Sequence, residues 1–253
     1  MKTHTVSPQW PAVAGVRALF TLRSDGVSRV PYESFNLGAH VGDDPEAVRR
    51  NRSQLVQAHH LPHEPLWLEQ LHGIQVVDAD QALLRGVVQA PPRGDVAVSR
   101  QPGPVLAVLV ADCLPVLFAA LDGSAVAVAH AGWRGLAAGV LEATVAALAG
   151  HGALQAWLGP AISGPHFEVG AEVRKVFTAH DPAAATAFTA NARGRWQCDL
   201  QTLARARLAA AGVSSIHADT GCTYAEPQRF YSYRRDGITG RMAALIWLEA
   251  AQC

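Results

Sequence analysis

Three short apolar runs crowd the middle of the chain: VLAVLVA (105–111), PVLFAAL (115–121) and SAVAVAH (124–130). Runs of this length with turn residues between them predict strands, and Asp122-Gly123 predicts a hairpin joining the last two. VRALFTLR (16–23), VAV (96–98), LQAWLGP (154–160) and RMAALIWLEA (241–250) predict further strands. LWLEQLHG (66–73) and IQVVDAD (74–80) read as strand material around Gly73. A helical period follows Asp44-Pro45, with proline at the first helical position, and runs until Pro62. In GLAAGVLEATVAALAG (135–150), Leu136, Val140, Leu141, Val145 and Leu148 share one stripe, predicting a single helix ended by Gly150. VGAEVRKVFTAH (169–180) and DLQTLARARLAAAG (199–212) predict two more, the second stopped by Gly212. Between these elements, 24–44 is a polar loop and 85–104 a loop-rich connection. Antiparallel hairpins with segregated helices predict an α+β fold, with mixed sheets covered by helices. No repeat or linker divides the chain, so one domain over 1–253 is expected.

Composition narrows the function. Of 253 residues, 49% are apolar, enough for a substantial core. Basic and acidic residues balance at 21 each, and neither forms a block. The charge pattern expected for nucleic acid or an anionic membrane is absent, which leaves a small-molecule partner. The start, MKTHTVSPQW, has no apolar signal segment, and charges and prolines interrupt the apolar centre, so neither a leader nor a membrane span is expected. Cysteines 113, 198, 222 and 253 form no paired spacing, which suggests a reducing, cytoplasmic setting.

The hairpin carries the candidate chemistry. If Asp122-Gly123 is its turn, facing residues sum to 245, and His130 lies opposite Pro115. Cys113 projects on the same face as Pro115, so Cys113 and His130 become diagonal neighbours roughly 7–8 Å apart at Cα. Two chemistries fit. Cys113 could be a nucleophile deprotonated by His130. Alternatively, thiolate and imidazole bind zinc, and a third ligand completes a site with one open position. His72 in EQLHG is the candidate third ligand, although spacing alone does not bring it to the hairpin. His40 and His166 sit in glycine-containing loops and could line a cleft, although a role outside the chemistry is the favoured reading; His59, His60 and His63, at a polar helix end, are read as surface.

The segments GVRALFTLR, NLGAHVGDDPEAVRRNR, LEQLHG, ADCLPVLF, HAGWRGLAAGVLEATV, GPAISGPHFEVG and YSYRRDGITGRMAALIWL occur in this order. Together they resemble the YfiH family of bacterial proteins, also called the laccase-domain or polyphenol oxidoreductase family, from about residue 15 to 249. The resemblance implies a mixed β-sandwich with flanking helices, distantly similar to the cytotoxic necrotizing factor deamidase fold. It also implies that His72, Cys113 and His130 are catalytic metal ligands. The sequence departs from the family pattern at Asp25-Gly26, at Val30-Pro31-Tyr32 and at Gly94-Asp95-Val96, none of them a ligand position.

The family's activities are of three kinds. One is zinc-dependent purine nucleoside chemistry: phosphorolysis of adenosine, inosine and methylthioadenosine, and adenosine deamination. Another is peptidoglycan editing, the removal of L-serine from a cell-wall nucleotide precursor. The third is copper-dependent phenol oxidation. No His-x-His pair is present, which weighs against a multicopper cluster, although a His₂Cys site accepts copper. A non-enzymatic zinc-stabilised interaction module would normally need four protein ligands. Zinc nucleoside chemistry is therefore the leading expectation. Phosphate would need cations, and Arg49, Arg50, Arg52, Arg134, Arg234 and Arg235 are available. The family motifs single out Arg52 and Arg134, with Asn36 and Arg234 as further candidates for substrate or phosphate binding.

Overall fold

The computed structural model describes residues 5–84 and 90–250. Residues 85–89 of the expected loop connection, and Cys253, lie outside the described residues. The chain runs β1 (Thr5–Val6), β2 (Val16–Thr21), α1 (Pro45–Ala58), β3 (Val76–Asp78), α2 (Ala79–Leu84), β4 (Val96–Ser99) and β5 (Val105–Val110). The hairpin follows as β6 (Leu114–Ala120) and β7 (Val126–Ala131), then α3 (Trp133–Ala138), α4 (Val140–Ala147) and β8 (Leu154–Leu158). Next come β9 (Glu168–Val169), α5 (Ala171–His180), β10 (Phe188–Ala190), β11 (Trp196–Cys198) and α6 (Leu200–Ala210). The chain closes with β12 (Ser215–Ala218), α7 (Tyr233–Asp236) and β13 (Met242–Leu248).

A mixed six-stranded sheet, β12-β8-β6-β7-β4-β3, lies against an antiparallel four-stranded sheet, β1-β2-β13-β5. Side-chain alternation explains why their strands read as continuous apolar runs. On β5, Leu106, Val108 and Val110 pack between the sheets, while Val105, Ala107 and Leu109 pack outward with Leu55 of α1. On β6, Leu117 and Ala119 face the sandwich interior, and Leu114, Val116 and Phe118 face a second core with Leu136, Leu141 and Leu203. β5, β6, β7 and β13 are buried on both faces, so polar alternation has no place on these strands. A sandwich with outer helices is the observed architecture.

Asp44 caps α1 as expected, its carboxylate accepting from the Glu46 N–H at 3.0 Å. Two expectations are corrected. The helix expected over 135–150 is two helices, because Gly139 adopts φ +101° between α3 and α4. The segment 66–73 makes no strand: its backbone forms only the isolated bridges Leu66 to Leu106 and Glu69 to Arg93. The three-stranded sheet β10-β11-β9 has no clear counterpart in the apolar pattern, since its strands hold two or three residues each.

Candidate metal centre

The hairpin register is the expected one. Pro115 pairs with His130, and pairs from Leu114–Ala131 to Ala119–Val126 all sum to 245. Cys113 therefore projects with Leu117 toward the space between the sheets, at the rim where His130 also lies. His130 is buried, Cys113 half-buried and His72 exposed, and one ligand atom from each lies within 4.8 Å of the others. His72 Nε2 is 4.0 Å from Cys113 Sγ, and the two imidazoles meet edge to face at 4.8 Å between centroids. Such a His-Cys-His group could hold a metal ion; among the described residues no other group of three or more potential ligands does.

What brings His72 here is a buried carboxylate. Asp95, fully buried before β4, accepts from the backbone N–H groups of Leu71 (3.0 Å), His72 (2.9 Å) and Gly73 (2.7 Å). These donors are spent on a carboxylate instead of a ladder, which is why the segment is a loop, with His72 at φ +60°. Gln70 secures the other side: its amide donates to Leu109 O at 2.8 Å and accepts from Leu109 N at 2.7 Å. Asp95 also lies 2.8 Å from His130 Nδ1, so Nδ1–H donates to it and Nε2 is the nitrogen left for Cys113 or a metal.

Charge follows from this geometry. Burial raises the Cys113 thiol, but the charge and hydrogen bond of His130, helped by His72, outweigh it and bring the pKa down to about 6. Burial lowers His130, but the Cys113 thiolate and Asp95 raise it to about 9. Burial also raises Asp95, and the bonds from His130 and Gly73 more than offset this, leaving it below its usual value. Gly132 leaves the needed room: a Cβ there would lie 2.9 Å from Cys113 Sγ and 3.2 Å from His72 Cδ2.

The cluster opens on two cavities. The larger, about 720 Å³, is lined by His40, Arg52, Trp67, Gln70, Tyr233 and Arg241 besides the three ligand candidates. The smaller, about 240 Å³, touches His72 and Cys113 and is walled by Trp133, Ile162, Phe167 and Leu200, with Arg134 and Arg234. The sequence-selected arginines are thus divided. Arg52 belongs to the large cavity, its guanidinium 4.2 Å over the Trp67 ring. Arg134 and Arg234 belong to the small one, over Trp133 and Phe167. Asn36 lines neither. It is fully buried, with its amide bonded to Gly38, Asp43 and the Arg241 N–H. His40 is exposed and lines the large cavity, as its loop allowed, whereas His166 stacks on Tyr224 at 4.7 Å between centroids.

Sequence reasoning passed over Asp95, Gln70, Tyr233 and Arg241. The available signal for Asp95 was a lone carboxylate opening the apolar strand VAVS. Arg241 read only as the first residue of a strand.

Residues 17–249 match the family described as multi-copper polyphenol oxidoreductase laccase. The chain belongs to that family. This laccase-family chain is 50% identical over 246 residues to a purine nucleoside phosphorylase of Pseudomonas aeruginosa, covering 96% of this chain and 98% of that one. It is equally similar, 50% over 244 residues with the same coverage, to purine nucleoside phosphorylase YfiH of Escherichia coli. Its structure resembles that of a Neisseria meningitidis protein, with TM-score 0.91 and 47% identity over 98% of this chain and 100% of the other. YlmD from Geobacillus stearothermophilus is likewise similar, with TM-score 0.90 and 31% identity over 99% and 98%.

Proposed function

We propose that this laccase-family chain is a zinc-dependent purine nucleoside enzyme, which splits adenosine, inosine and methylthioadenosine with phosphate and deaminates adenosine. The observation that carries the reading is a three-ligand His-Cys-His group, open to two cavities that also hold guanidinium groups. Half-identical relatives named purine nucleoside phosphorylase support it along nearly the whole chain.

The donor set fits zinc: two imidazoles and a thiol already biased toward thiolate. Three protein ligands suit a catalytic site, and bound zinc would supply Lewis acidity and lower the pKa of water. The chain's own groups do the rest. Asp95 fixes the His130 tautomer and, through three backbone bonds, the position of His72. The walls of the small cavity offer an apolar and aromatic surface for a purine, and the arginines offer countercharge to phosphate.

The other readings lack a specific observation. Several coppers would need ligands beyond this one group, and the described residues supply none. A closed structural zinc site would need a fourth ligand there. Serine removal from a cell-wall precursor would use the same centre, and substrate presentation separates it. Purified protein of defined metal content is given adenosine with phosphate, the serine-containing precursor, or a phenol. Adenine, ribose 1-phosphate and inosine are the expected products. Serine release or rapid phenol oxidation, without nucleoside turnover, would overturn the proposal.

A further inference from the structure

Many of the described arginines are paired with carboxylates, as Arg17 is with Glu249, Arg100 with Asp78 and Arg207 with Glu142. Two on the wall of the larger cavity are not. Among the described residues, neither Arg52 nor Arg241 has a carboxylate within ion-pair distance, yet both are half-buried. Backbone carbonyls orient them instead. Arg52 donates from Nε (3.1 Å) and Nη2 (2.8 Å) to Leu37 O, and Arg241 donates from Nη1 to Thr239 O (2.9 Å) and Gly240 O (3.0 Å). Carbonyl dipoles hold a guanidinium in place without cancelling its charge, and donors remain unspent: Nη1 of Arg52, Nε and Nη2 of Arg241.

The surroundings sharpen the contrast. Burial works against both charges and lowers both guanidinium pKa values. His40, between burial and these two arginines, is pushed below its ordinary value, so at neutral pH it adds no third positive charge. Glu64 acts on Arg52 and Asp112 on Arg241 only from beyond ion-pair distance, Glu64 accepting from Trp67 Nε1 and Asp112 from Thr223 Oγ1 and the Arg234 N–H, while the Cys113 thiolate also favours the Arg241 charge. A half-buried, pre-oriented guanidinium with no carboxylate in direct contact is costly to keep without a ligand. Arg134 and Arg234 make a weaker case. Both are exposed, Arg134 over Trp133 and Arg234 over Phe167.

We propose that Arg52 and Arg241 together seat an oxyanion, inorganic phosphate, in the larger cavity beside the His-Cys-His group. Arg241, the residue just before β13, replaces Arg134 as the partner of Arg52. Two planar forks on the wall of one cavity, both acting on His40, could supply the multidentate contact that phosphate prefers. Choosing phosphate among oxyanions rests on the nucleoside reading; the seat itself does not.

The test is titration of inorganic phosphate into the full-length, metal-loaded protein, read by calorimetry. Saturable binding is expected, weakened about tenfold or more by Arg52→Gln and by Arg241→Gln, as loss of a charge-assisted bond implies. Arg241→Lys, which keeps the charge and guards against a folding defect, should retain an intermediate affinity. Arg17→Gln, on a paired surface arginine, should bind as wild type. Uridine diphosphate serves as a second probe: if it binds through both arginines while inorganic phosphate does not, the seat belongs to a nucleotide and the proposal falls. Phosphate affinity unchanged in both glutamine variants would also overturn it. Phosphate binding through both arginines without nucleoside turnover would refute the nucleoside reading and leave the seat standing. Nucleoside turnover with an unchanged phosphate KM in both variants would refute the seat alone.

Discussion

Asp95 and His130 meet at 2.8 Å with both side chains buried, and the same carboxylate holds the loop that carries His72. One acid thus sets the tautomer of one ligand candidate and the position of another, although it touches no cavity. Asp95→Asn keeps the shape but presents an amide where His130 needs an acceptor. Zinc affinity should fall about 10–100-fold, the usual cost of losing an outer partner of a ligating histidine. Competition against a chelator of known affinity measures this, and an unchanged affinity would deny Asp95 its positioning role.

Gly132 tests the crowding of the cluster. Its φ of −62° is accessible to any residue, so Gly132→Ala acts only through the new methyl, 2.9 Å from Cys113 Sγ. The protein should fold but lose much of its zinc and turnover. Metal analysis of the folded variant is the readout, and full zinc occupancy would count against the geometry.

Gly139 separates stability from chemistry. At φ +101° an alanine is strained, so Gly139→Ala should cost about 1–2 kcal/mol of stability. Zinc content should stay at the wild-type level. Denaturant titration and metal analysis on the same preparation check both halves.

The metal-free thiol should titrate early. With its pKa near 6, Cys113 should react with iodoacetamide at a rate that rises through about pH 6 and then levels off. Cys198, buried and pushed up to about 12, should stay unmodified at pH 7. The signs for folding stability oppose each other. The Cys113 contribution is complete above its unfolded value of 9.0 and is lost as pH falls through about 6. The His130 contribution is complete below 6.5 and is lost as pH rises through about 9. The fold moves a proton from thiol to imidazole without net uptake, so stability should show little pH slope from this pair. Alkylation followed by mass spectrometry supplies the rates; a midpoint near 9 would contradict the assigned interaction with His130.

The Cys113–His130 pairing was legible because a period-two hairpin with a clear turn allows only one register once its core face is fixed. His72 was named as a candidate ligand from its Gly-terminated turn, but only the resemblance tied it to the hairpin. Its place depends on hydrogen bonds to Asp95, twenty-three residues away in the chain, and no local periodicity encodes such a contact. The break at Gly139 was hidden because the apolar stripe continues across it. Arg241 escaped notice because a strand pattern says nothing about where the first side chain of the strand reaches. Asn36 lies in a family motif, yet its amide is consumed in holding the loop around Gly38 and Arg241.

The central claim is that His72, Cys113 and His130 hold one zinc on which nucleoside turnover depends. The most direct measurement strips the protein with a chelator, titrates zinc back, and follows turnover of adenosine with phosphate against metal content. The account predicts negligible activity without metal, a linear rise that breaks at one zinc per chain, and no recovery in His72→Ala or Cys113→Ser despite folded protein. Full activity in the metal-free wild type, abolished by a thiol alkylator, would contradict it and make Cys113 the nucleophile.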